Sequence, residues 1–182
     1  IRGVRVSFSS EVKEELSRKV PKARHCQAAE LAAIISMCGG VMIAGDGSFR
    51  MKIQTENLPV ARKAFTLMKE LFNIEIEVSV LCHEGGRGRR IYAILVGNHE
   101  DALCVLKATK LIDRHMEIME NLSIADNLLL QRTCCKRAFI RGAFLCAGSL
   151  SDPKKSYHFE IVCTCMAKAS QLAQLMNSFG MD

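Results

Sequence analysis

The sequence predicts an α+β fold made of a duplicated helix, hairpin, helix unit, and three observations carry that reading. The apolar run Glu30 to Gly40 returns as Arg137 to Ser149, and both close on glycine. Ala28, Ala32, Ser36 and Gly40 recur every fourth residue in the first run, as Ala138, Gly142 and Cys146 do in the second. Side chains at the contact set the distance between packed helices, so two stripes of small residues allow a close approach. The likeness also continues downstream. Met51-Lys-Ile-Gln-Thr matches Phe159-Glu-Ile-Val-Cys, and the helical run closing at Phe72-Asn73 matches the one closing at Phe179-Gly180.

Taken in order, Ser9 or Ser10 is expected to cap a helix from Glu11 to Arg18, with Glu11 and Glu14 at its positive end, and Pro21 stops any continuation. A second helix runs from His25 to Cys38 and ends at Gly39-Gly40 in the manner of a C-terminal glycine. Strands Val41 to Ala44 and Ser48 to Thr55 join through Gly45-Asp46-Gly47, a hairpin signal. In the second strand Met51 and Ile53 alternate with Arg50, Lys52 and Gln54, which makes one face buried and the other cationic or amide-bearing. Asn57 and Pro59 open a helix reaching Phe72. Ile74 to Leu81 alternates as a strand with Ile74, Ile76, Val78 and Val80 on one side. Its loop, His83 to Arg90, turns into the partner strand Ile91 to Val96, and a helix from Asn98 to Lys110 closes the unit. Asp113 to Asn121 reads as a connector with helical character, and Ser123 to Gln131 as an apolar helix leading into the second copy. That copy continues through the turn Leu150 to Ser156, a strand from Tyr157 to Thr164 and a helix from Met166 to Phe179.

Domain boundaries follow: residues 1–22 a helical lead-in, 23–112 the first unit, 113–131 a connector and 132–182 a second unit. The second copy has no counterpart of the first unit's third and fourth strands, so a complete one would need about 35 further residues by analogy with the first. The chain is therefore expected to be part of a longer protein.

Half of the residues, 49%, are hydrophobic, enough for a buried core in a chain of 182. The apolar runs are too interrupted by charge to span a bilayer, and the start shows no secretory pattern. Nine cysteines, an odd number placed mostly in apolar helices and strands, fit free thiols in a reducing cytoplasm. Cys134 and Cys135 are adjacent, and Cys163 and Cys165 have no spaced partner pair, so no metal and no cofactor is expected. His83 and His99 read as solvated loop residues. The net charge of +6 allows a polyanionic partner.

A duplicated unit whose leading helices pair through small residues resembles the LAGLIDADG homing-endonuclease fold. More closely, Ser7-Phe-Ser-Ser-Glu-Val-Lys-Glu-Glu-Leu, Gln54-Thr-Glu-Asn57, Cys135-Lys-Arg-Ala-Phe-Ile-Arg-Gly-Ala-Phe-Leu145 and Gly148-Ser-Leu-Ser-Asp-Pro-Lys-Lys-Ser-Tyr-His158 resemble the WhiA family, regulators of sporulation and cell division in Gram-positive bacteria. The resemblance implies a cytoplasmic, nucleoid-associated DNA-binding regulator whose amino-terminal part is endonuclease-like and whose carboxy-terminal helix-turn-helix domain lies outside this sequence. Its implied partners are double-stranded DNA and, as an alternative, another transcription regulator, with no membrane.

Homing endonucleases of this type carry one acid at the foot of each leading helix, and the two carboxylates hold divalent metals. Alignment puts Cys38 at the first such position and Ala147 at the second, and neither offers magnesium an oxygen ligand. Asp46, in Met42-Ile-Ala-Gly-Asp-Gly-Ser-Phe49, mimics the motif but falls in the hairpin turn. No catalytic residue is therefore expected. The candidates for touching DNA are the outward strand residues Arg50, Lys52 and Gln54 in the first copy and Lys154, Lys155 and His158 in the second. Arg87, Arg89 and Arg90, on a glycine-rich hairpin tip, join them. Glu75, Glu77 and Glu160 are expected on the same face and weaken it.

Overall fold

The computed structural model describes residues 7–82, 89–119, 122 and 127–181. The chain runs α1 (Phe8–Arg18), α2 (Arg24–Cys38), β1 (Gly39–Ile43), β2 (Phe49–Thr55), α3 (Leu58–Leu71), β3 (Glu77–Cys82), β4 (Arg90–Val96), α4 (His99–Ala108), a short 3-10 helix Asn127–Leu130, α5 (Thr133–Ala147), β5 (Gly148–Leu150), β6 (Phe159–Ile161) and α6 (Met166–Asn177). One sheet has the order β1-β2-β4-β3, all antiparallel, and a second holds β5 and β6.

The duplication holds at the level of register. Gly39, Gly40 and Val41 face Ile53, Lys52 and Met51, while Gly148, Ser149 and Leu150 face Ile161, Glu160 and Phe159 in the same arrangement. A one-residue slip would carry every side chain to the other face of a strand. The agreement therefore fixes which residues of the two copies are equivalent: Lys52 with Glu160, and Arg50 with His158.

α2 and α5 form the axis of the molecule. Every residue of α2 from Cys26 to Ser36 is buried, as befits a helix packed on all sides rather than along one stripe. The close approach falls at Gly142, where an added Cβ would lie 2.6 Å from the Glu30 carbonyl oxygen and 2.9 Å from Ala33 Cβ. Beside it sits a buried charge cluster. The fully buried Glu30 carboxylate is 3.1 Å from Lys63 Nζ on α3 and accepts from Arg141 Nε (2.9 Å) and Nη2 (2.7 Å) on α5. Burial pushes the Lys63 ammonium below its ordinary value, while the bond to Glu30 raises Arg141. Lys63 also donates to the backbone carbonyls of Leu16 and Lys19, so the cluster fastens the end of α1 as well.

Several elements differ from expectation for local reasons. α1 starts earlier, because Ser7 rather than Ser9 or Ser10 is its cap and accepts from Ser10 N at 3.2 Å. Gly39 ends α2 in an extended conformation, φ −92°, and opens β1 instead of forming a left-handed cap. Lack of a side chain still matters there, since a Cβ would lie 2.4 Å from the Ile35 carbonyl oxygen. β3 is shorter than the alternating run, and all its residues are exposed, with Val78 at 55% and Val80 at 50%. α3 and α4 cover β2 and β4, and β3 lies at the edge beyond them. Among the described residues the connector is not helical between Asp113 and Met119. Asp113 Oδ1 accepts from His115 N (2.8 Å) and Glu117 N (2.9 Å), a local alternative to helix hydrogen bonds. Of the run Ser123 to Gln131, a 3-10 turn at Asn127–Leu130 is described. β6 covers three residues of the longer strand expected. His99 is not simply solvated: it opens α4, and its Nδ1 accepts from Phe49 N at 2.8 Å.

Candidate nucleic-acid interface

β2 supplies the basic row. Met51 and Ile53 are buried against the helices, so Arg50, Lys52 and Gln54 project from the opposite, open face of the sheet. The register extends that face to Met42 beside Arg50, Leu95 beside Lys52 and Ala93 beside Gln54. Glu77 pairs with Leu95 and shares the face, so a carboxylate does stand in the row.

The second copy reverses one charge. Glu160 occupies the place of Lys52, and hydrogen bonds from Ser149 (2.9 Å) and from His158 hold its carboxyl below the usual range. His158 stands where Arg50 does but lies 3.3 Å from the Glu160 carboxylate. Lys154 and Lys155 occupy the exposed turn after β5, where Asp152 accepts from the Lys154 amide (3.0 Å) and the Lys155 amide (2.8 Å). Arg89 is 3.7 Å from Glu56. Arg90 is the first residue of β4, paired with Cys82, and by alternation with Ala93 it falls on the face opposite Arg50, Lys52 and Gln54. Arg87 lies outside the described residues. Of the nine candidates, three thus share one strand face, His158 takes the equivalent place in the second copy, and Lys154, Lys155, Arg89 and Arg90 lie elsewhere.

At the feet of the central helices, α2 ends on Cys38 and α5 on Ala147, as the alignment places them. A thiol pair fills this end. The hydrogen bond between Cys146 and Cys38, with help from Lys168 and Lys13, pulls the Cys38 thiol below its ordinary value and sends Cys146 well above. Lys13, itself lowered by burial, comes from α1, and Lys168 of α6 donates to the Ser36 carbonyl oxygen. Neither lysine was a sequence candidate. In the sequence both read as ordinary solvated helix lysines, and only the fold buries Lys168, half-buries Lys13 and brings the two together. Asp46 and Asp152, the next aspartates after each helix foot, are turn residues: Asp46 Oδ1 accepts from Ser48 N (2.9 Å), which lowers its carboxyl, and Asp152 Oδ1 accepts from Lys154 N.

The opposite, amino-terminal ends of the same helices hold a second group, against the expectation of no metal-ligand set. His25, Cys26, Cys134 and Cys135 converge there with all donor atoms within 4.8 Å of one another. The two adjacent pairs come from different helices, which is why no single stretch of sequence shows a ligand spacing. Burial pushes Cys26 up to about 12, and the hydrogen bond from Cys26 lowers the exposed Cys134.

Two central helices, each followed by an antiparallel hairpin in matched register, define a protein of the LAGLIDADG class. The fold is similar to that of I-DmoI solved in complex with its target DNA, with TM-score 0.57 and 16% identity over 86% of this chain and 77% of that one. The solved N-terminal LAGLIDADG domain of DUF199/WhiA is also similar, at TM-score 0.63 and 20% identity over 97% of this chain and 77% of that one. Family models described as the WhiA N-terminal LAGLIDADG-like domain and the WhiA LAGLIDADG-like domain match residues 24–112 and 136–182. The chain belongs to the WhiA family. A relative from Lachnoclostridium phytofermentans named "Probable cell division protein WhiA" is 45% identical over 97% of this chain and 56% of its own length. One of the same name from Alkaliphilus oremlandii is 38% identical over 96% of this chain and 55% of its own. The chain thus spans a little over half the length of the curated relatives it matches. No helix among the described residues is long and apolar enough to cross a membrane.

Proposed function

We propose that this chain is the endonuclease-like, non-cleaving part of a DNA-binding regulator of cell division and sporulation, working in the cytoplasm at the nucleoid. Its open sheet face lies along duplex DNA. The single observation that carries the reading is the register that sets Arg50, Lys52 and Gln54 side by side on the face turned away from the helices. Guanidinium and ammonium groups neutralise phosphates, which positions a protein on DNA without reading bases, and an amide is suited to base edges or sugar oxygens. Glu77 and Glu160 on the strands make the contact weak, a supplement to a separate recognition domain. I-DmoI, which shares the fold, was solved in complex with its target DNA.

Absence of cleavage rests on the helix feet. Cys38 and Ala147 replace carboxylates, and Lys13 and Lys168 bring positive charge to the place where cations would sit. The test is an anisotropy titration of labelled duplex over a range of salt. Arg50→Ala with Lys52→Ala is expected to weaken binding and flatten the logarithmic salt slope by about 1.8, the loss of two phosphate contacts. An unchanged slope overturns the assignment of this face, and metal-dependent nicking abolished by Asp46→Ala overturns the non-cleaving reading.

A second reading is favoured by β3. Unpaired on its outer side among the described residues, it carries Val78, Val80 and Leu81 at 50% exposure or more, and such an edge accepts an added strand. On that reading the fold is a docking scaffold for another transcription regulator or for the helix-turn-helix domain. Val80→Lys then disrupts partner binding while leaving the DNA salt slope intact.

A further inference from the structure

His25 and Cys26 are the second and third residues of α2, and Cys134 and Cys135 are the second and third residues of α5. The duplication therefore presents one adjacent pair from each copy at the heads of the two central helices. Four donors converge there within 4.8 Å, with His25 Nδ1 3.3 Å from Cys26 Sγ and 3.2 Å from Cys135 Sγ. We propose that these side chains bind one zinc-class divalent cation in a tetrahedral Cys3His site that ties the heads of α2 and α5 together.

The chemistry fits a borderline-soft ion. Zinc takes four ligands tetrahedrally, with zinc–sulfur bonds near 2.3 Å, so bound sulfurs stand about 3.8 Å apart. The widest donor pair here has about 1 Å to close, a side-chain adjustment within the first turn of each helix. Cys26 and Cys135 are buried and anchor the site from inside, whereas His25 and Cys134 are exposed and give the ion a way in. The positive ends of both helix dipoles partly offset the burial that holds Cys26 and Cys135 in the thiol form. Three thiolates around a dication leave one negative charge, and Arg132 is at hand to balance it, its Nη1 3.2 Å from His25 Nε2. Coordination through Nδ1 puts the imidazole proton on Nε2, so the exposed Arg132 guanidinium turns off the ring and toward the thiolates. Oxygen-preferring cations are disfavoured, because no carboxylate belongs to the group. The site is independent of the DNA reading and lies at the other end of the helices from Cys38 and Ala147.

The test is an anaerobic titration of the reduced protein with Co(II) followed by Zn(II). One equivalent of Co(II) is expected to give the intense visible bands of a tetrahedral, thiolate-rich centre. Zn(II) then abolishes them and raises Tm in proportion to the logarithm of its free concentration. Cys134→Ser and His25→Ala, both at exposed positions that leave the core filled, are expected to weaken binding by more than the roughly 10- to 100-fold that outer-shell changes cause, while Cys38→Ser leaves it unchanged. A pale octahedral spectrum, absence of binding in protein whose thiols are confirmed reduced, or equal affinity in Cys134→Ser and His25→Ala overturns the proposal.

Discussion

Gly142→Ala separates two forces that a helical glycine normally mixes. In an exposed helix the change stabilises by about 1 kcal/mol, because alanine has the higher helix propensity. Here the new methyl meets the Glu30 carbonyl oxygen at 2.6 Å and Ala33 Cβ at 2.9 Å, where ordinary contact begins at 3.4 Å. The obstacle is backbone, which no rotamer change removes, so α2 and α5 have to part by about 0.8 Å along their most extensive contact. Overpacking of this kind costs about 1–3 kcal/mol, and the separation also stretches the Arg141 bonds to Glu30. With about 1 kcal/mol for the stretched bonds roughly cancelling the propensity gain, the expected net loss is about 1–3 kcal/mol, a Tm lower by roughly 2–12 °C for a chain of this size. Urea unfolding followed by far-ultraviolet circular dichroism measures it, with Gly40→Ala, which meets nothing within 4 Å, as the control. A Gly142→Ala protein as stable as the parent, or more so, would refute the close approach of the two central helices.

Glu30→Gln leaves Lys63 and Arg141 facing each other without their carboxylate, and a loss of about 3–5 kcal/mol in urea unfolding is expected; under about 1 kcal/mol the cluster does not carry the charges assigned to it. Cys38, held below the usual 9.0, should take up iodoacetamide at lower pH than an unperturbed thiol. A labelling profile by mass spectrometry centred at or above 9.0 contradicts the thiol pair. Glu14 is lowered from 4.5 by hydrogen bonds from Arg62 and then Arg18, so its folded value lies below its unfolded one. Its contribution is complete above the unfolded value and fades as pH falls through the folded one. Glu14→Gln should therefore flatten the acid limb of a Tm–pH curve and leave neutral pH little changed; an unaltered acid limb disproves the coupling of α1 to α3. Glu160→Lys makes the second copy match the first at its Lys52 position and is expected to steepen the DNA salt slope by about 0.9 if that face also lies on the duplex. No change in slope confines the contact to the first copy.

The repeat was legible because it rests on residues with strong local preferences. Glycine closes both central helices, the Gly45-Asp46-Gly47 turn fixes a hairpin register, and alternation along Arg50 to Gln54 assigns two faces to one strand. The same local rules misread Ile74 to Leu81. Alternation says that Val78 and Val80 share a side, but whether anything covers that side depends on how far α3 and α4 reach. Adjacent cysteines gave no ligand spacing, since His25-Cys26 and Cys134-Cys135 lie more than a hundred residues apart in the chain and meet only when α2 and α5 align head to head. Lys13 and Lys168 were missed for the same reason, arriving at the helix feet from the lead-in helix and from the last one.

The central helix pair thus carries different chemistry at its two ends, and the electrostatics of each end can be compared. At the heads, burial holds the Cys26 and Cys135 thiols above their ordinary value while the exposed Cys134 is lowered, so a bound cation, helped by the helix N-termini, has to draw the protons off the buried pair. At the feet, two ammonium groups stand near Cys38 with no carboxylate at either helix end. A single ammonium about 5 Å from a dication, at an effective dielectric near 20, opposes it by about 7 kcal/mol. It cancels a large part of what one regained carboxylate ligand would contribute, since at about 2.1 Å and the same dielectric that attraction is about 16 kcal/mol before the carboxylate's own hydration is replaced. On the non-cleaving reading proposed above, the missing acids are then not the only feature that opposes a metal at this end. Lys13 and Lys168 would oppose a cation even with acids restored at Cys38 and Ala147, while Arg50 and Lys52, on a different face, leave the proposed phosphate contact free of that constraint.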